Sequence, residues 1–164
     1  MRNPYNYSFD DETGTYQFTT KNDIIYRVAF LEDSTLTTVS STGMEFNNVY
    51  QVVIEKVSEQ LEPLDSQVFL TIDTIISDFF SNIENALIYV CSDNNGKDKV
   101  RYRVFERWYQ NSEHKAIITK VDNIIPLDGD SVIYTSLLYH NDNPNVNYIL
   151  TTFDEIEDTL NKDE

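Results

Sequence analysis

The chain has little of what lets a small protein hold together without a folded core. Of its 164 residues, one is cysteine, four are glycine and four are proline. One cysteine, Cys91, allows no intrachain disulfide, which excludes a stapled secreted scaffold. So few glycines and prolines exclude a collagen-like or low-complexity chain. No apolar run approaches the ~20 residues that a membrane-spanning helix needs. The opening "MRNPYNYSFDDETG" carries no apolar core of a signal peptide. The expected compartment is therefore the cytoplasm, with no membrane partner. Positive charge is also scarce. Lys and Arg number 12 against 28 Asp and Glu, a net charge of -16. Such a field repels phosphates, so no binding of duplex nucleic acid is expected.

What is present argues for a packed domain. Hydrophobic residues make up 40% of the chain and aromatic residues 13%. Disordered chains are poor in both. The length suits one domain covering residues 1–164. In its first third, Tyr5, Tyr7 and Phe9 alternate with polar residues, as do Tyr16 and Phe18, which is the period of a strand. "DDETG" between them reads as a hairpin turn, with Gly14 free to take positive φ. Residues 24–31 and 49–57 are β-branched and read as longer strands. The Ser/Thr-rich stretch 32–48 reads as a loop or a ragged edge strand.

The period then changes. Val68, Ile72, Ile75, Ile76, Phe79, Phe80 and Ile83 recur at helical spacing, with Asp65 or Ser66 placed to cap the helix. "ALIYVC" (86–91) suits a central strand, and a crossover from strand 49–57 through the helix to this strand is expected. A second helix is read over the basic stretch 97–109. "KAIITKV" and "SVIYTSLLY" resume strands, and "HNDNPN" turns into "VNYILTT". The tail, from about 153, reads as a short acidic helix or a frayed end. The expected fold is α+β: a mostly antiparallel sheet, two principal helices packed on it and a short C-terminal helix.

The stretch "KDKVRYRVFERWY" departs from the acidic background. Lys97, Lys99, Arg101, Arg103 and Arg107 place five cations against two carboxylates within residues 97–107. In helical projection Val100, Val104 and Trp108 share one side, with Phe105 and Tyr109 beside them. Arg103 and Arg107 share another face. Arg101 projects inside the apolar arc, where it must snorkel outward or meet a buried acceptor. Two roles follow. The cations are either internal counter-ions for an acidic sheet, or a ligand- or partner-binding site made of Lys97, Lys99, Arg101, Arg103, Arg107 and Trp108. In the second case an anion or phosphate would sit at the 93–103 turn and helix N-terminus. No glycine-rich phosphate loop supports that site.

Other chemistry has weaker support. Cys91 and His114 could pair as thiolate and imidazole, but a lone cysteine ending an apolar strand more often fills core space. His114 and His140 are too few and too separated for a zinc site. "LDGDS" (127–131) reads as a turn rather than a calcium loop. No catalytic residue, metal or cofactor is assigned.

The opening "NPYNYSFDDETGTYQFTT", "IIYRVAF" and above all "IYVCSDNNGKDKVRYRVFERWY" resemble a family of small bacterial cytoplasmic proteins of uncharacterised function. The resemblance lies in Cys91, Asp93, Arg101, Arg103, Phe105, Trp108 and Tyr109. It implies no activity, cofactor or catalytic residue.

The charge and the eleven tyrosines then suggest a non-enzymatic protein-binding module, of the inhibitor or immunity type, that captures a basic partner. The alternative is a small enzyme or ligand-binding domain using the anion site. If Arg101 is buried and paired, Arg101→Met should cost on the order of 3–5 kcal/mol, because its partner is stranded. Arg103→Met and Arg107→Met should each cost about 0–1 kcal/mol. Denaturant melts of the three variants check this; equal small changes would refute the projection.

Overall fold

In a computed structural model, residues 3–57, 60, 65–92, 106–129 and 131–162 are described. Alternating aromatic and polar residues build an antiparallel meander of β1 (Tyr7–Asp10), β2 (Thr15–Thr19), β3 (Ile25–Glu32) and β4 (Val49–Lys56). The β1–β2 turn closes at Gly14, which has φ 66° and donates its N–H to the Asp10 carbonyl at 2.8 Å. Glycine takes that φ without a Cβ clash.

Between β3 and β4 the chain forms a short helix, α1 (Thr35–Val39), where the composition suggested a loop or edge strand. Thr and Val are poor helix formers. Burial decides here: Leu36 is fully buried in the core, and the Asp33 carboxylate accepts the Thr35 N–H at 2.8 Å.

The helix α2 (Ser66–Phe79) follows β4. Asp65 caps it, accepting the Gln67 N–H at 2.9 Å. Its far end is closed by Asn85, whose amide donates to the Phe79 carbonyl at 2.9 Å. The chain then enters β5 (Ala86–Ser92), which lies parallel to β4. This is the expected crossover. The parallel register is short, joining Val49 to Ala86 and Tyr50 to Leu87.

Residues 106–111 are helical (α3). The antiparallel pair β6 (Ile118–Pro126) and β7 (Val132–His140) comes next, with β7 inserted beside β5. The seven strands lie in the order β1-β2-β3-β4-β5-β7-β6. The fold is α+β, as expected, with a mostly antiparallel sheet.

The C-terminal helix α4 (Val146–Lys162) has 17 residues and starts well before the acidic tail that announced it. Its register explains the difference. Ile149, Phe153, Ile156 and Leu160 recur at helical spacing on one side, and the first three are nearly fully buried. The turn Asn143–Asn145 starts it, with the Asn143 side chain accepting the Asn145 N–H at 2.8 Å.

Strand alternation sorts the core onto two faces. On one face α2 packs Ile75 against Phe18, Tyr26 and Val28, and packs Ile76 and Phe80 against Leu87, Ile118, Leu138 and Trp108. On the other, α1 and α4 set Leu36, Ile149, Phe153 and Ile156 against Ala86, Ile88, Ile125, Leu137 and Tyr139. The central strands β5 and β7 are thus covered on both sides, which is why β5 opens on a continuous apolar run and β7 is buried from Tyr134 to Tyr139. Aromatic rings line α2's side: Phe30 stacks on Phe79 at 4.2 Å, and Phe18 on Tyr26 at 5.2 Å.

Ile76 is 1% exposed, whereas Ile54 on β4 is 46% exposed. Ile76→Ala should cost about 2–5 kcal/mol through lost burial and a residual cavity. Ile54→Ala should stay within about 0.5 kcal/mol. Urea melts of both variants measure the contrast.

Candidate functional site

The basic island reaches the described residues only in part. Lys97, Lys99, Arg101 and Arg103 lie outside them, and so does the anion site read at residues 93–103. Arg107 is on α3 and exposed; its carbonyl accepts from the Asn111 side chain at 2.8 Å. Trp108, one residue on, is 8% exposed and packs with Ile76, Phe80, Leu87, Ile118 and Leu138. It is a core residue, and in this position its indole ring gives a partner little to touch. Tyr109 donates its hydroxyl to the Ile118 carbonyl at 2.7 Å. Burial, the largest effect, pushes its phenol above the ordinary value.

Besides the helix cap Asp65, the described charges that leave water form two clasps. In the first, the Lys120 side chain on β6 is 1% exposed and contacts Glu106 on α3 and Asp122 on its own strand. Asp122 also accepts the Ser136 hydroxyl at 2.7 Å, and Glu106 accepts the Gln110 amide at 2.8 Å. The Lys120 ammonium holds the Glu106 carboxyl below the usual carboxylate range. This joins α3 to the sheet edge.

In the second clasp, Asp73 on α2 is 1% exposed. It accepts the Ser112 hydroxyl at 2.6 Å and the Glu113 N–H at 3.3 Å, with the His114 Nε2 at 3.9 Å. Serine, histidine and aspartate meet here, but in the wrong order for nucleophilic catalysis. The Ser112 hydroxyl donates to the carboxylate and accepts the His114 backbone N–H at 3.1 Å. No imidazole is placed to take its proton. The cluster closes the turn after α3 onto α2. His114 thus faces Asp73; the side chain of Cys91, its suggested partner, lies outside the described set.

A third feature opens to solvent. A pocket of about 170 Å³ lies where the segment before β4 meets Glu84 and the first turn of α4. Phe46 and Ile149 supply apolar walls; Glu45, Glu84, Asn145 and Tyr148 supply polar groups. Tyr148 is 57% exposed. The Glu84 carboxylate accepts from the Asn48 amide at 3.4 Å. From Tyr148 the outward arc of α4 continues through Thr151, Asp154, Glu155 and Asp158 at ~100° per residue. Asp154 and Asp158 are exposed. Glu155 accepts the Ser41 N–H and hydroxyl at 2.9 and 2.7 Å, tying the end of α1 to α4. Among the described residues no group of three or more His, Cys, Asp or Glu is placed to hold a metal ion, and no helix is long and apolar enough to cross a membrane.

Asp73 had a readable signal: it shares a helical face with Phe69, Ile76 and Phe80, so a carboxylate stands on an apolar stripe. Lys120 and the pocket had none. The pocket is assembled from three segments far apart in the chain.

The model of a family of unknown function, DUF6169, matches residues 64–155, more than half of the chain, from just before α2 into α4. No curated protein matches the chain.

Glu106 supplies a pH test of the first clasp. Its carboxyl is lowered in the folded protein, so its contribution is present above the ordinary carboxylate pKa of ~4.3 and fades as pH falls through the lower folded value. Glu106→Gln should therefore destabilise the protein near neutral pH, with the difference from wild type shrinking steadily on acidification. Because the carboxylate is 36% exposed, the neutral-pH loss should fall below the ~3–5 kcal/mol of a fully buried pair. Urea melts across the acid limb check the slope.

Proposed function

We propose that this chain, which belongs to the DUF6169 family of unknown function, is a cytoplasmic, non-enzymatic binding module for a basic protein partner. The observation that carries this reading is where the charge sits. Among the described residues the ion pairs of Lys120 and the contact between Asp73 and His114 are clasps within the fold. The acid excess lies elsewhere, in water. Among the residues whose exposure is described, the exposed cations are Lys21, Arg27, Lys56, Arg107 and Lys115, and exposed carboxylates outnumber them widely. A surface left this anionic draws a basic partner by long-range steering and rejects acidic ones.

The face we assign to the partner is the outward arc of α4 with the adjoining pocket. Asp154 and Asp158 supply charge, and the exposed Tyr148 ring supplies contact area beside a concavity. Tyrosine at a pocket rim is a common anchor in protein interfaces. The polar groups inside the fold support a non-enzymatic role, because Ser112, Asp73, Lys120 and Glu106 are engaged in holding α3 in place.

Calorimetric titration with a short arginine-rich peptide tests the assignment. The double variant Asp154→Lys/Asp158→Lys should weaken binding about tenfold. Asp10→Lys/Asp11→Lys, at the end of β1 and the start of the turn, changes the net charge equally and should weaken it less than about twofold. Equal losses would mean that only net charge matters and would refute a docking face on α4. Binding should also weaken with added salt.

A further inference from the structure

We propose that the pocket at the first turn of α4 receives a single arginine side chain of the partner. This rests on the reading of α4's face as the docking surface for a basic protein, and it names what that surface recognises. Size excludes most alternatives. Sites for drug-sized ligands and cofactors run to ~300–1,000 Å³, and this pocket holds about 170 Å³. That is close to the ~150 Å³ of a cavity that accepts one benzene ring. One side-chain head group fits; a nucleotide does not.

The lining selects the kind of head group. Glu45 and Glu84 are the two carboxylate residues of the lining, and no lysine or arginine is among the lining residues. The α4 N-terminus opposes a cation, but its macrodipole amounts to only ~+0.5 charge, against two full negative charges. The site is therefore net negative. Glu84 is positioned by the Asn48 amide through one oxygen, Oε2, so its Oε1 is available to a ligand donor.

Two aromatic residues separate arginine from lysine. Phe46 and Tyr148 both line the pocket. A guanidinium is planar and weakly hydrated; it stacks on such rings while its fork of N–H donors meets carboxylates. An ammonium is a compact, strongly hydrated point charge and gains less from the same walls.

The test uses N-acetyl-arginine amide as the probe, followed by amide chemical shifts of the intact protein. Saturable shifts should be confined to residues around Phe46, Glu84 and Tyr148, with a dissociation constant on the order of millimolar. N-acetyl-lysine amide should bind several-fold more weakly. Glu84→Gln and Tyr148→Ala should each reduce probe affinity about five- to tenfold. Both positions are exposed, and the variants should melt within a degree or two of wild type, which separates lost binding from lost fold. Shifts spread over all acidic surfaces, or a probe affinity unchanged in Glu84→Gln, would overturn the pocket. The arginine-rich peptide distinguishes that failure from failure of the underlying reading. If the peptide still loses affinity in Asp154→Lys/Asp158→Lys, the docking face stands without the pocket. If it does not, the face falls and the pocket's assignment to a protein partner falls with it.

Discussion

The two halves of the sheet meet along a parallel contact only two residue pairs long, and everything else depends on how that weak junction is reinforced. A two-residue ladder cannot hold a four-stranded meander against a three-stranded unit. The helix α2 does so, through a largely apolar face interrupted by Thr71 and Asp73. Ile75 belongs to the cluster under β2 and β3, while Ile76 and Phe80 belong to the cluster under β5, β6 and β7. One rigid helix thus buries side chains on both sides of the junction. Its ends are fixed as well. The Tyr5 hydroxyl donates to Asp65 at 2.6 Å, and the Tyr5 N–H to Thr71 Oγ1 at 2.8 Å. Burial pushes the Asp65 carboxyl up, yet the hydrogen bonds from Tyr5 and the helix amides, aided by the Lys21 charge, outweigh it and hold the group below the usual range.

The same helix organises the polar interior. Asp73 on α2 receives the turn that follows α3, and Lys120 on β6 receives Glu106 on α3 itself. Each buried charge meets a partner, as the desolvation cost of an isolated one demands. These pairings consume the side chains that most resemble catalytic groups. The proposed docking face uses the outer surface instead, where carboxylates stand in water and where Tyr148 borders a side-chain-sized pocket.

Several features of this arrangement could be read from the chain alone. The period-2 alternation of Tyr16 and Phe18, the helical recurrence from Val68 to Phe80 and the glycine in the first turn each rest on local sterics and solvent exposure. Local rules also located the crossover from β4 to β5. Where burial overrode propensity, reading failed. The segment 35–39 is helical because Leu36 reaches the core, although Thr and Val disfavour a helix. The acidic residues of α4 obscured an apolar stripe that begins at Ile149. The sequence assigns Trp108 to a binding site, and its burial among α2, β5, β6 and β7 has no signal beyond its place on an apolar helical side.

Composition and the periods of two and 3.6 residues suffice for the α+β class, the lack of an intrachain disulfide and the strongly negative field. Tertiary structure alone decided the strand order, the partners of Asp73 and Lys120, and the pocket that joins Phe46, Glu84 and Tyr148. Those residues are separated by dozens of positions. Nothing in local chemistry specifies which distant side chains will share a site; that is settled when α2 and α4 bury their apolar faces on opposite sides of one sheet.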